Sequence, residues 1–102
     1  MRILNFQVDG QTLTKTGDFS NIIRGSKGYL SCKFKFVGDE WEGCNIAAAF
    51  ENTSGEHAVL VDNEGMCNVP DEVTDSSFFR VKVAGVSAEK KLITNKVFIS
   101  QR

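Results

Sequence analysis

Proline occurs once in these 102 residues, and tryptophan, tyrosine and histidine also occur once each. With one proline and nine glycines, composition excludes a collagen-like chain, a Pro-rich linker or a low-complexity tail. An excess of either charge is missing too: 12 Lys and Arg stand against 13 Asp and Glu, for a net charge of −1. A generic nucleic-acid binder carries a clear basic surplus, so no nucleic-acid partner is expected. No apolar run approaches the ~20 residues that span a bilayer, so none is expected with a membrane. Met1-Arg2-Ile3-Leu4-Asn5-Phe6 lacks the apolar region and small-residue cleavage site of a secretory signal, and synthesis in a cytosol is the expectation. Cys32, Cys44 and Cys67 form no Cys-x-x-Cys pair, and reduced thiols that act as small apolar packing residues are expected.

What remains is a chain that is 41% hydrophobic and 25% charged, enough for one globular domain, residues 1–102, with a single modest core. The apolar pattern has period two almost throughout, which is the strand signal. Leu4, Phe6 and Val8 alternate with Asn5 and Gln7 before the turn pair Asp9-Gly10, so residues 2–16 read as a β-hairpin. Gly17 to Gly28 reads as a connection with room for one brief strand. Leu30, Cys32, Phe34 and Phe36 point one way, and Ser31, Lys33 and Lys35 the other. Further strands follow at Cys44 to Glu51, His57 to Val61, Met66 to Val69, Phe79 to Val83 and Leu92 to Ile99. Pro70 ends one of them, because proline cannot donate to a ladder, and Asp71 to Thr74 suits one helical turn. Seven or eight short strands with regular turn signals predict an all-β fold, an antiparallel sandwich with an N-terminal hairpin.

Chemistry is harder to find. His57 lies at a strand edge with no nucleophile and orienting group signalled beside it, and it reads as an ordinary surface histidine. Asp39, Glu40 and Glu42 read as a solvated loop rather than calcium ligands or a glycosidase pair. Asp62-Asn63-Glu64-Gly65 lacks the closing acid of an EF-hand and reads as a turn. Gly25-Ser26-Lys27-Gly28 precedes a strand, where a phosphate-binding loop needs a helix. Asn52-Thr53-Ser54 matches a glycosylation sequon by accident. Neither catalytic residues, nor a metal, nor a cofactor is expected.

The faces of the strands say more. Lys33 and Lys35 share one wet face and Arg80 and Lys82 another; adjacent strands would form a cationic stripe, which acids such as Glu51 would neutralise. Tyr29 is the aromatic best placed for contact with something outside. These five residues are the candidate interaction surface. Trp41, between Phe36 and Phe50, is expected to fold back and plug an end of the core with its N–H satisfied at the rim; Trp41, Phe34, Phe36, Phe50 and Pro70 are the expected structural anchors.

The succession Tyr29-Leu30-x-Cys32-x-Phe34-x-Phe36, Asp39-Glu40-Trp41-Glu42-Gly43, Ala48-x-Phe50, Val59-Leu60-Val61-Asp62, Gly65-Met66-Cys67-Asn68-Val69-Pro70-x-Glu72-Val73, Phe79-x-Val81-x-Val83-x-Gly85 and Ile93-Thr94-Asn95 resembles a known family. It is similar to the small immunoglobulin-like modules of tail, baseplate and head-fibre proteins in phages of Gram-positive bacteria. The resemblance rests on packing and turn residues. It implies a non-enzymatic virion protein, made in the bacterial host cytoplasm, that contacts other virion proteins and repeats as a homo-oligomer or in many copies. Residues 1–18, outside the best match, are the expected docking element. Two other readings share the fold: a carbohydrate-binding module with Tyr29 or Trp41 stacked on a cell-surface glycan, and a phage protein that binds a host protein.

Overall fold

Asp9 and Gly10 turn the chain as their sequence suggests, with Gly10 at a φ of 59° that a side chain disfavours. The turn joins β1 (Arg2–Asp9) to β2 (Thr12–Thr16) as an antiparallel hairpin. A computed structural model describes all 102 residues. It continues through β3 (Leu30–Val37), β4 (Asn45–Asn52), β5 (Gly55–Leu60), β6 (Met66–Asn68), a single helical turn α1 (Asp71–Thr74), β7 (Phe78–Val86), β8 (Lys91–Ile93) and β9 (Val97–Ser100). The nine strands form two sheets. Sheet A has the order β2-β1-β3-β6; sheet B has the order β5-β4-β7-β8, with β9 also paired to β7. Their inner faces pack together as a sandwich, with Leu4, Phe6, Val8, Cys32 and Phe34 from sheet A buried against Ala48, Phe50, Phe79, Val81, Val83 and Ile99 from sheet B.

Two expectations are corrected. The sandwich is not wholly antiparallel, because β1 and β3 run parallel, with Leu4 beside Cys32 and Phe6 beside Phe34. Parallel neighbours need a crossover of about a dozen residues, and residues 17–29 supply it without forming a strand. Buried Ile22 anchors this crossover to the core, and Arg102 N–H donates to the Ile22 carbonyl. Alternation told which side chains face inward and carried no information about strand direction. The strand count is also nine rather than seven or eight, because the apparent last strand is split. At Thr94 the ladder ends: its N–H still donates to the Val83 carbonyl at 3.0 Å, but its hydroxyl instead of its carbonyl accepts the Val83 N–H, also at 3.0 Å. Asn95 and Lys96 then run unpaired with β7 before β9.

The two long sides of the sandwich are closed differently. On the β2–β9 side, Asn95 reaches across the sheets and acts as a substitute strand: its side-chain oxygen accepts the Leu13 N–H at 2.7 Å and its amide donates to the Leu13 carbonyl at 3.1 Å. Gln11 donates to the Ile93 carbonyl and Lys15 to the Phe98 carbonyl. On the other side, β5 is the free edge of sheet B and β6 that of sheet A.

Candidate interaction surface

The anchors set which faces of the sheets turn outward. Trp41 is buried, and its indole N–H donates to the Gly10 carbonyl at 2.8 Å. The ring tilts against Phe36 at 5.4 Å and lies over Gly85. Gly85 stands inside β7, and its missing side chain leaves the space that the indole fills. Phe34 is buried and stacks on Phe6; Phe50 is buried against Phe79; Phe36 is partly buried at the edge of the core. Pro70 is half-buried and immediately precedes α1. The hairpin is part of this core: β1 lies inside sheet A and its Leu4, Phe6 and Val8 are fully buried. Any docking by residues 1–18 falls to the β2 edge and the wet face, not to a separate arm.

The five candidate surface residues do not come together. Lys33 and Lys35 lie on the outer face of sheet A, where Lys33 is level with Asn5 and Lys35 with Gln7. Arg80 and Lys82 lie on the outer face of sheet B, the opposite side of the sandwich, so no single cationic stripe forms. Both are paired with acids. Arg80 contacts Glu51 at 3.8 Å, and Lys82 reaches Glu56 at 3.5 Å over the small Ala49 between them. Lys96 also holds Glu51, at 3.1 Å. Such exposed pairs each contribute little, about 0–1 kcal/mol, and their effect is to neutralise the face. Tyr29 is exposed at the start of β3, at the rim of a shallow depression with Arg2, Asn21 and Ile23.

Other candidates are occupied by structure. His57 is half-buried and sits opposite Phe50 in the ladder. Asp62 uses one carboxylate oxygen to accept the N–H groups of Glu64 and Met66, both at 2.9 Å, which accounts for that acidic turn. Asn52 of the apparent sequon is buried; it donates to the Glu72 carbonyl and accepts the Ser54 N–H.

The surface that the sequence reading missed is the outer face of sheet B. Register places Leu60, Ala47, Ala84 and Ile93 side by side across four strands. Ala58 and Ala49 continue the band on one flank and Val86 on the other. Leu60 is 78% exposed and Ile93 40%. At the far end Phe78 and Phe98 stack at 5.3 Å, with the Arg80 guanidinium 5.1 Å from the Phe78 ring centre. A signal was present: in Ile46-Ala47-Ala48-Ala49-Phe50 the residues between the core-facing positions are alanines, where a wet strand would carry polar side chains.

Set against known proteins, the chain matches no family model, no curated protein and no solved structure. The class that can be stated is therefore architectural: a mostly-β, sandwich-like domain of nine strands in two sheets, one of them mixed.

Proposed function

We infer that this chain is a non-enzymatic structural protein of a phage virion, a tail, baseplate or head component of immunoglobulin-like type that works through protein–protein contacts. The observation that carries the reading is the pairing of a free edge strand, β5, with an exposed apolar band that begins on that same strand at Leu60. An open edge offers unpaired N–H and C=O groups to a partner's strand, and pockets or faces beside it supply selectivity. Large apolar side chains left in water next to such an edge favour a docked state. The resemblance of the packing motifs from Tyr29 to Ile99 supports the virion class. In a symmetric particle a contact of modest strength is repeated many times, so each one need not be strong.

The burial of Trp41 weighs against the sugar-stacking alternative, which is left with Tyr29 alone. The test is an immunoblot of gradient-purified particles from the phage that encodes the chain. Co-sedimentation with particles is expected, and a protein found only in the host lysate overturns the reading.

A further inference from the structure

One row of residues on the outer face of sheet B is symmetric. Take as reference the line between β4 and β7, the two central strands of its four-strand path. The apolar row reads Leu60, Ala47, then Ala84, Ile93 across that line, the same in both directions: branched aliphatic, alanine, alanine, branched aliphatic. Four residues along the strands, the row reads Glu56, Glu51, then Arg80, Phe98, with acids on one side of the line and the cation on the other. A two-fold rotation about that line, lying in the plane of the face, brings Ala47 onto the copy's Ala84, Leu60 onto its Ile93 and Glu51 onto its Arg80. Phe98 falls opposite Glu56 at the rim. Self-complementarity of this kind is the condition for an isologous contact.

We propose that this face is a homodimer interface, with a second copy of the chain as its occupant. The apolar row meets its own kind and Glu51 meets the copy's Arg80, so the central row and one charge pair on each side of the axis are complementary. In the row between them Lys82 falls over the copy's Ala49, where its ammonium stays within reach of the acids of β4 and β5. Alanines lose no rotamer freedom when covered, and they let two sheets approach closely. Arg80 has donors to spare, since its contact with its own Glu51 is the longest of the three ion pairs. Strands about 4.8 Å apart and about 3.3 Å per residue give a face on the order of 500 Å² in projection. That is below the roughly 800 Å² per partner of a standard stable interface, so the dimer is weak alone and serves where copies are held near one another.

The proposal deepens the assembly reading by naming a surface and a partner, and it fails separately. Sedimentation equilibrium on the full chain, from about 10 μM to about 1 mM, is expected to show concentration-dependent dimer. Leu60→Lys and Ile93→Lys should each weaken it about tenfold or more while the thermal midpoint of dilute protein stays unchanged, because both side chains are exposed. Glu51→Arg and Arg80→Glu should each weaken it, and the double variant should recover it, since both two-fold-related contacts are remade. Lys35→Glu, on the opposite sheet, should leave the mass unchanged. A monomer at every concentration overturns the proposal, as does a dimer indifferent to both Leu60→Lys and Ile93→Lys. A monomer that nevertheless co-sediments with particles overturns the dimer and spares the virion reading; a dimer absent from particles does the reverse.

Discussion

Trp41 and Gly85 are complementary in volume: a Cβ at position 85 would stand 2.8 Å from two carbons of the indole and 3.2 Å from the Cys44 Cβ. The ring has no room to retreat, because its N–H is held by the Gly10 carbonyl on one side and its face by Phe36 on the other. Gly85→Ala should therefore destabilise the fold by about 1–3 kcal/mol through overpacking. Trp41→Ala should cost about 3–5 kcal/mol, much of a small domain's stability. In the double variant the new methyl occupies part of the vacated space, so urea unfolding should give a loss smaller than the sum. Strict additivity would mean that the two residues do not share that volume.

Asn95 does the work of a strand residue with its side chain. Asn95→Ala removes both hydrogen bonds to Leu13 and leaves backbone groups of a buried residue short of partners. A loss of about 1–3 kcal/mol is expected. Native-state hydrogen exchange should show the Leu13 amide losing protection well before the amides of β7; equal loss throughout would mean that the clip is not local.

The three thiols differ in access. Cys32 and Cys67 face each other across β3 and β6 inside the core, whereas Cys44 is half-buried. Burial pushes the Cys32 thiol well above its ordinary range, and the neighbouring Cys67 adds to the effect, so little thiolate is available for reaction. An aromatic disulfide reagent at neutral pH should label Cys44 first, and Cys44→Ser should abolish the early phase. Cys32 and Cys67 should react only as the protein unfolds. Simultaneous labelling of all three would contradict the burial.

Asp18 supplies a pH readout for the crossover. Its carboxylate accepts the Ser20 hydroxyl at 2.6 Å and the Ser20 N–H at 2.8 Å, which together hold its pKa below the ordinary aspartate value. A group depressed in the folded state contributes stability above its unfolded pKa and loses it as pH falls through the lower folded value. A carboxyl NMR titration should find Asp18 below the ordinary aspartate value, and Ser20→Ala should raise it. An unchanged titration in that variant would rule out the Ser20 contacts as the cause.

The parts of the fold legible in the sequence were those written in side-chain period and turn chemistry. Leu4-Phe6-Val8 and Leu30-Cys32-Phe34 announce their buried faces by alternation, Asp9-Gly10 its turn and Pro70 the end of β6. Strand direction was not legible, because a parallel and an antiparallel neighbour present the same alternation; only the long crossover tells them apart, and it looks like loop. Thr94 and Asn95 hide within an apolar segment, and their role appears only once β2 and β7 lie on either side of them. The surface residues fared differently again. Lys33 and Lys35 resemble Arg80 and Lys82 in sequence, but sheet membership, a long-range property, puts them on opposite sides. The band from Leu60 to Ile93 gathers single residues from four strands, and no short window of sequence contains it.

The parallel pairing of β1 with β3 has a consequence for the order of events in folding. The strand that ends up inside sheet A is the first one in the chain, and its two flanks are acquired on different terms. The β1–β2 hairpin closes through a tight local turn, a process of roughly 1–10 μs. The β3 flank must wait until residues 17–29 have looped past the hairpin, and such non-local closure is slow because its entropy cost precedes any reward. A hairpin closed before β3 arrives would leave one edge of β1 unpaired. A nascent sandwich of this kind is most vulnerable to mispairing at its earliest strand, and the speed of the crossover sets how long that exposure lasts.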